Sequence, residues 1–384
     1  MNCKRFLFKT SVVILCLFCA NCQKKERTVT VAFYHWKSSE SISNYEKKVL
    51  DSLKSETIYK RFFDVDWNDE AHFPEPISIV KKFNSQGLKI IPTVFITNKT
   101  FIKIADNQLD TFVLLFLQKL NQNTCLSGRQ AEGVHDLEFE MSDVGKNLEF
   151  KTQDQKVFDE IQVDCDWTQS TRDKFFLFLK KLKTVSQKKI SATIRLHQIK
   201  DRSKMGIPPV DKGMLMVYNM GDLENPQANN SILDTKVLKS YISNLKSYNL
   251  KLDIALPIFS WGVVVRDGAV VKLINNQTED DFLPSCEGVA YEPLPIRKLE
   301  NNRFEILENM YFKGYYLYKN DEIRLESIPL SLPTGQAGIL TETADILTQN
   351  IDNQQLTIAF FHLDSVLLKR YNYENLHPIV QKFK

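Results

Sequence analysis

Two carboxylates, Asp164 and Asp166, stand two residues apart in the segment 161–168, among apolar neighbours. Successive side chains of a β-strand point to opposite faces, so this spacing places both carboxylates on one face and Cys165 with Trp167 on the other. A buried carboxylate is costly unless it is paired, hydrogen-bonded or protonated. The pair therefore predicts either a solvated strand end or a site for acid–base chemistry.

Short apolar segments alternate with amphipathic segments along the body of the chain. Eight strands joined mostly by helices predict an α/β fold, a (β/α)8 TIM barrel, which needs roughly 250 residues. An open α/β sheet is the alternative, but no Gly-rich phosphate loop follows an early strand. The expected strands are residues 29–35, 58–66, 89–95, 160–166, 189–196, 214–219, 252–257 and 356–362, and the expected helices include 42–53, 76–83, 109–120, 171–184 and 237–248.

The chain is longer than a barrel requires, so we expect insertions after the third and seventh strands. The polar stretch 121–155 and the segment 262–316 hold most of the surplus, and 327–338 has the composition of a loop. Residues 29–36 are also similar to residues 356–363. First and last strands are neighbours in a closed barrel, so this similarity favours closure.

Polar and aromatic side chains follow the predicted strands, at the end where barrel enzymes build their sites. Carboxylates can act as acid and base on a glycosidic bond, and flat aromatic faces stack on sugar rings. The pattern therefore predicts a sugar site. In strand order, these residues are Tyr34, His35 and Trp36; Asp64, Asp66 and Trp67; Thr97 and Asn98; Asp164, Asp166 and Trp167; Arg195 and His197; Tyr218 and Asn219; Phe259 and Trp261; His362 and Asp364.

Three segments resemble signatures of the chitinase-like glycoside hydrolases of family 18. Residues 162–168 resemble the Asp-x-Asp-x-Glu end of that family's fourth strand, and residues 216–221 are similar to its Met-x-Tyr-Asp signature. Residues 256–262 fall where the family has a Pro-Phe-Tyr-Gly type of turn. The resemblance implies a (β/α)8 barrel that cleaves N-acetylated amino sugars with help from the acetamido group. The same signatures resemble exported bacterial barrel proteins for which the family name implies no proven reaction.

The sequence departs from this family at one position, because Thr168 stands where the family has its general-acid glutamate. A hydroxyl cannot supply a proton near neutral pH. The resemblance implies that Asp166 polarises the acetamido group, that Asp164 supports it, and that Tyr218 and Asn219 hold the substrate. The missing acid leaves two expectations open, a substitute acid or a glycan-binding protein that does not cleave.

Glycoside hydrolysis is the leading expectation, with a binding-only role at about equal weight. In a hydrolase, Asp66 would replace the missing acid. Carboxylates about 5 Å apart would indicate a retaining mechanism, and a separation of about 6.5 to 9.5 Å an inverting one. The predicted catalytic residues are Asp166, Asp164 and Asp66, and the predicted substrate-binding residues are Tyr34, His35, Trp36, Asp64, Trp167, Arg195, His197, Tyr218, Asn219 and Trp261.

A metal-dependent hydrolase is the rival from another class, since such barrels gather His and Asp at strand ends. No His-x-His pair or His-Glu-x-x-His spacing occurs in the sequence. The cation of Arg195, on the same strand face as His197, would also repel a metal. We therefore expect no metal and no other cofactor. The residues that a metal site would draw on are His35, His197, His362, Asp164 and Asp166.

The N-terminus has the parts of a secretory signal: a basic start, an apolar run at 12–20 and a polar continuation. Residues 17–22 resemble a bacterial lipobox, with Asn21 where a small residue is usual. We expect lipidation of Cys22 and attachment to the bacterial cell envelope, at the outer membrane or cell surface. The expected domains are a signal peptide at 1–22, a tether at 23–28 and the barrel at 29–384.

The composition argues against a nucleic-acid partner. The 384 residues are 43% hydrophobic and 25% charged, which is typical of a globular protein. Without the three cations of the first 22 residues, 47 basic residues balance 47 acidic ones, so no nucleic-acid partner is expected. We expect a monomer that binds an oligosaccharide or polysaccharide. Of the cysteines outside the leader, Cys165 is expected to pack in the core, and a bridge between Cys125 and Cys286 is left open.

Overall fold

The structure is a computed structural model, and it describes residues 27–38, 41–80, 83–125, 158–282, 294–330 and 338–384. The expected signal peptide and the lipidation site Cys22 lie outside these ranges. Cys286 and nearly all of the expected insertion 121–155 also lie outside them, so the Cys125–Cys286 bridge is not described.

Sixteen strands occur in the described part of the chain. They are β1 (Thr28–His35), β2 (Thr57–Asn68), β3 (Phe73–Ile77), β4 (Lys89–Ile96), β5 (Glu160–Asp164), β6 (Lys189–Arg195), β7 (Lys212–Met216), β8 (Leu252–Pro257), β9 (Ser260–Arg266), β10 (Ala269–Asn275), β11 (Ile296–Lys298), β12 (Arg303–Ile306), β13 (Met310–Phe312), β14 (Tyr315–Leu317), β15 (Glu322–Ser327) and β16 (Gln355–Phe361).

The helices lie mostly between the long parallel strands, and short 3-10 turns occur at Asp106–Gln108, Ile242–Ser247 and Glu279–Phe282. The α-helices are α1 (Asn44–Ser52), α2 (Asn98–Lys103), α3 (Leu109–Cys125), α4 (Arg172–Ser186), α5 (Leu196–Lys200), α6 (Arg202–Met205), α7 (Thr235–Tyr241), α8 (Ile339–Thr348), α9 (Ser365–Arg370) and α10 (Tyr373–Gln381). Among these helices, none is long and apolar enough to cross a membrane.

Eight parallel strands form a closed barrel. They pair in the order β1, β2, β4, β5, β6, β7, β8 and β16, and β16 pairs with β1 along Thr28 to Phe33. The predicted (β/α)8 barrel is therefore confirmed. The two similar segments near the chain ends are the strands that close it.

The expected helix at 76–83 is wrong. Residues Phe73–Ile77 instead form β3, which pairs antiparallel with the far end of β2, so that Pro76 lies opposite Val65 and Pro74 opposite Trp67. Proline lacks a backbone donor and is tolerated in an edge strand, whereas inside a helix it breaks the hydrogen-bond ladder. The expected helix at 237–248 is split between α7 and the 3-10 turn Ile242–Ser247.

The outer face of the barrel packs against helices through aromatic side chains. The rings of Phe112 on α3 and Phe178 on α4 stack with centroids 4.9 Å apart, and Phe116 lies 5.6 Å from Phe178. Phe63 on β2 meets Phe116 at 5.7 Å. Burial of such rings supplies much of the favourable free energy of folding, and it fixes the strands that carry the site.

The barrel interior is polar near the start of the strands. The ammonium of Lys212 lies 3.1 Å from Glu160 Oε2 and 2.9 Å from Asp253 Oδ2, and it donates to the hydroxyl of Tyr59 at 3.2 Å. Burial opposes the charge of Lys212, but Tyr59, Asp253 and Glu160 outweigh it and raise the pKa of the amine. This cluster fills the end of the barrel where the strands start. Barrel enzymes build their sites at the other end, so we assign the cluster a role in stability.

A second, smaller sheet is formed by strands that lie between β8 and β16 in the sequence. It is antiparallel, with strand order β10-β9-β15-β12-β11, and the hairpin β13–β14 adjoins it in sequence. Its core contains Phe282, Phe304, Phe312 and Ile323. Strand β9 begins three residues after the end of β8, the seventh barrel strand, so the small sheet starts at the end of the barrel where the parallel strands terminate.

Candidate functional site at the barrel mouth

The floor of the mouth, the end of the barrel where the parallel strands terminate, is formed by inward side chains of β5. The hydroxyl of Tyr34 donates to Gln162 Oε1 at 2.6 Å, and the hydroxyl of Thr193 donates to Asp164 Oδ1 at 2.5 Å. Val163, between them in sequence, is buried on the outer face. Asp164 therefore lies inside the barrel, one level above Gln162.

The carboxyl of Asp164 is the buried acid of the mouth. The pKa of Asp164 is raised to about 6, chiefly by burial. The neighbouring carboxylates Asp166 and Asp64 contribute to the rise, and Arg195 and the hydrogen bond from Thr193 oppose it. The group therefore keeps its proton in mildly acidic solution and loses it near neutral pH.

Asp166 lies at the rim of the mouth and is held by Arg195, the last residue of β6. The guanidinium donates through Nε to Asp166 Oδ1 at 2.6 Å and through Nη2 to Oδ2 at 3.2 Å, which is a two-point contact. The Asp166 side chain is 49% exposed, so one face of the pair is open to a ligand. Burial opposes the charge of Arg195, but Asp164 and Asp166 prevail and raise its pKa.

A second arginine–carboxylate pair lies on β2. Arg61 donates through Nε to Asp64 Oδ1 at 2.8 Å and through Nη2 to Oδ2, and its guanidinium carbon lies 5.7 Å from the ring centroid of Trp36. Two residues further along, Asp66 Oδ1 accepts from the hydroxyl of Thr97 at 2.6 Å and from the next backbone N–H at 2.8 Å. Asp64 and Asp66 thus both have partners within the protein.

Aromatic rings form one side of the mouth, and we call Trp36, Tyr218, Phe259, Trp261 and Phe361 the aromatic wall. The ring of Phe361 lies at its centre, 5.9 Å from Trp36, 5.3 Å from Tyr218 and 5.8 Å from Phe259. Trp261 continues the wall at 5.1 Å from Phe259 and is partly exposed, as is Trp36.

Tyr218 and Asn219 follow β7 and differ in their surroundings. The Tyr218 hydroxyl donates to the Met216 sulfur at 3.1 Å, and the side chain is 5% exposed. Burial raises the pKa of Tyr218, with Asp164 and Asp166 adding to the rise against Arg195, so its ring lies close to both carboxylates. Asn219 is exposed in the left-handed region at φ 53°, a conformation that Asn tolerates better than most residues.

Two predicted binding residues are not brought to the mouth. Trp167 is fully buried outside the barrel, where it stacks on Phe175 at 5.2 Å and donates to the Met205 carbonyl at 2.9 Å. His35 follows the inward Tyr34 on β1 and therefore points outward, with Nδ1 at 2.9 Å from the ammonium of Lys60. These placements correct the expectation that both side chains line the sugar site.

Thr168 belongs to the turn that precedes α4. Its hydroxyl lies 2.9 Å from that of Ser170, its backbone N–H donates to Thr171 Oγ1 at 2.9 Å, and its carbonyl accepts from Arg172. His197 is exposed in the first turn of α5. In the ranges that the structure covers, no three His, Cys, Asp or Glu side chains converge in a way that could hold a metal ion.

Sequence reasoning missed two residues of this region. Phe361 is the centre of the aromatic wall, and its alternation with Phe360 on the eighth strand could have identified it as an inward side chain. Glu326 accepts a hydrogen bond from Trp261 Nε1 at 2.8 Å across 65 residues of sequence. No local pattern indicates that contact.

The chain is similar in structure to several solved proteins. One is the spore cortex-lytic enzyme SleL of Bacillus cereus, at 12% identity and a TM-score of 0.47, over 93% of this chain and 75% of that one. Another is a chitinase of Chromobacterium violaceum, at 8% identity and a TM-score of 0.47, over 92% of this chain and 98% of that one. No protein-family model and no curated protein matches the sequence. The assignment of the barrel rests on the strand pairing of the chain itself.

Proposed function

We propose that this protein binds a glycan at the mouth of its barrel. The observation that carries the proposal is the combination of the aromatic wall with two arginine–carboxylate pairs at one opening. Flat rings suit the apolar faces of sugars, and paired charged groups offer fixed donors and acceptors for sugar hydroxyls. The contact of Arg61 with Trp36 joins the two kinds of surface.

Glycoside hydrolysis is the second candidate, and the raised pKa of Asp164 favours it. A carboxyl with a pKa of about 6 can hold and release a proton near neutral pH. Recognition comes first because Asp164 is only 6% exposed and Asp166 is engaged by Arg195. Thr168, at the position of the family's general acid, has no acidic group.

The binding proposal is tested with a glycan array carrying chitin-, peptidoglycan- and plant-type oligosaccharides. We expect retention of at least one class, and we expect Trp36→Ala to weaken that binding by about tenfold or more, as removal of a central aromatic contact does. Tyr311→Ala is the matched control, because Tyr311 is an aromatic side chain 72% exposed on β13 and outside the aromatic wall. Absence of binding to every glycan would refute the proposal.

The hydrolysis candidate is tested by product analysis on each bound glycan. If the protein cleaves, Asp166→Asn and Asp66→Asn test the assigned acids, and unchanged cleavage by both variants would refute the assignment. Binding without product on any glycan identifies a binding protein. Loss of cleavage with a chelator would instead support a metal-dependent hydrolase.

We further propose that the protein is a lipoprotein of the bacterial cell envelope, attached through Cys22. The basic start, the apolar run and the terminal cysteine of the leader support this. In cells fed a radiolabelled fatty acid, the native protein should carry label and sediment with membranes. Cys22→Ser should abolish both, and label retained by this variant would contradict the assignment.

A further inference from the structure

The indole of Trp261 is attached to a buried carboxylate. Trp261 on β9 and Glu326 on β15 are directly opposite each other in the antiparallel pairing, so their side chains share one face of the small sheet. Trp261 Nε1 donates to Glu326 Oε2 at 2.8 Å, and Glu326 is 1% exposed while Trp261 is partly exposed in the aromatic wall. The polar edge of the indole is thus fixed and part of its ring remains open.

The same carboxylate is held from two further directions. Arg324 Nε donates to Glu326 Oε1 at 2.7 Å within a pair that is fully buried. The backbone N–H and the hydroxyl of Ser231 donate to Oε2 at 2.8 and 2.5 Å. Arg324 also donates to the carbonyls of Asn225 and Pro226 at 2.8 and 3.0 Å. Glu326 therefore joins the indole, the small sheet and the segment 222–231.

We propose that Glu326 is the positioning residue of the glycan site, fixing the orientation of the Trp261 indole that the ligand stacks on. The inference rests on the proposed glycan site. A stacking platform binds well only when its ring is already oriented, because orienting it during binding costs free energy. Glu326 supplies that orientation through a charge-assisted hydrogen bond, the stronger kind in a buried setting.

The orientation of the indole can be measured without a ligand. Protein labelled with 5-fluorotryptophan should give a ¹⁹F NMR signal for Trp261 that Trp261→Phe identifies by its loss. Glu326→Gln should shift or broaden that signal, because an amide cannot accept from both the indole and Arg324 as the carboxylate does. Ser231→Ala, which removes a different hydrogen bond to the same oxygen, is the matched control and should leave the signal in place. If Glu326→Gln does not fold, Glu326→Asp is used in its place, because it keeps a negative charge beside Arg324.

The effect on binding is measured with chitotetraose and with the glycan that the array retains most tightly. Glu326→Gln should weaken binding by about tenfold, the loss expected for a hydrogen bond to a charged group. In a Trp261→Phe background, which lacks the indole N–H, the same change should have no further effect. A merely structural role would weaken binding equally in both backgrounds and would also appear in Ser231→Ala.

The outcomes separate this inference from the proposed function. An unmoved Trp261 signal in Glu326→Gln overturns the positioning role, whatever the glycan result. An equal loss of affinity from Glu326→Gln in the native protein and in the Trp261→Phe background overturns the positioning role too. Absence of binding by the native protein to chitotetraose and to the whole array overturns the proposed function, and the ¹⁹F signal still decides the role of Glu326.

Discussion

Replacement of Asp164 by asparagine tests whether the floor of the mouth carries a carboxyl group that is penalised by burial. The ordinary pKa of 3.8 is raised to about 6 in the folded protein, with burial as the largest cause. Between these values the unfolded chain has lost its proton and the folded chain keeps it, so the free energy of unfolding falls as pH rises through this window. Above the folded pKa the penalty is fully present, and below the unfolded pKa it is absent.

The size of the effect follows from the two pKa values. The difference corresponds to about 3 kcal/mol, at about 1.4 kcal/mol for each pH unit. Asparagine has a similar shape, and its amide oxygen can accept the hydrogen bond from Thr193, so Asp164→Asn should resemble the protonated native protein at low pH. The stability of the variant relative to the native protein should therefore rise by up to about 3 kcal/mol between about pH 3.5 and about pH 7.

Urea unfolding at a series of pH values measures this difference. The control is Asp110→Asn, the same chemical change at a carboxylate 72% exposed in the first turn of α3, whose curve should run parallel to that of the native protein. Taking the difference between variant and native removes the titration of all other groups. Parallel curves for Asp164→Asn and the native protein would refute a raised pKa for Asp164, and with it the argument for acid–base chemistry at this group.

Two further predictions concern the fold that supports the mouth, and both are checked by denaturant unfolding. Lys212→Met leaves the carboxylates of Glu160 and Asp253 buried without their cation, and should destabilise the protein by about 3–5 kcal/mol. Replacing both acids by their amides in the same variant should recover much of this loss. No recovery would contradict the electrostatic explanation. Gly213→Ala places a Cβ 2.4 Å from Ile194 Cδ1 and should cost about 1–3 kcal/mol, whereas a change below the experimental error would show that the neighbouring side chain moves freely.

The barrel was predictable because the strands are short apolar runs and the chain ends resemble each other. The helix at 76–83 was not, because the spacing of Ile77, Val80 and Phe83 suits a helix while pairing with the end of β2 draws Pro76 into an edge strand. That pairing depends on the tertiary position of β2 and leaves no local signal.

The site was also only partly predictable, because local patterns show strand faces but not tertiary packing. The two-residue period of a strand predicts Asp164 and Asp166 on one face, and both lie close enough to Arg195 to raise its pKa. The period does not predict how deep in the barrel a side chain lies, so the spacing could not predict that Asp164 is buried and Asp166 is exposed. Trp167 was wrongly expected at the site, because its side chain points out of the barrel and packs against α4. Glu326 was missed because its contact with Trp261 depends on a long-range strand register.

The polar interior of the barrel limits how a glycan could reach the proposed site. From the strand starts upward, the Lys212 cluster is followed by the Ser191 hydroxyl, which donates to Glu160 at 2.7 Å, and then by the contact of Tyr34 with Gln162. These side chains plug the barrel along its axis, as in a packed core rather than a pore. The mouth is therefore a cavity that is closed at its base. A polysaccharide could not thread through it. Under the proposed function, a long chain would lie across the rim, along Trp36 and Trp261, or insert one of its ends.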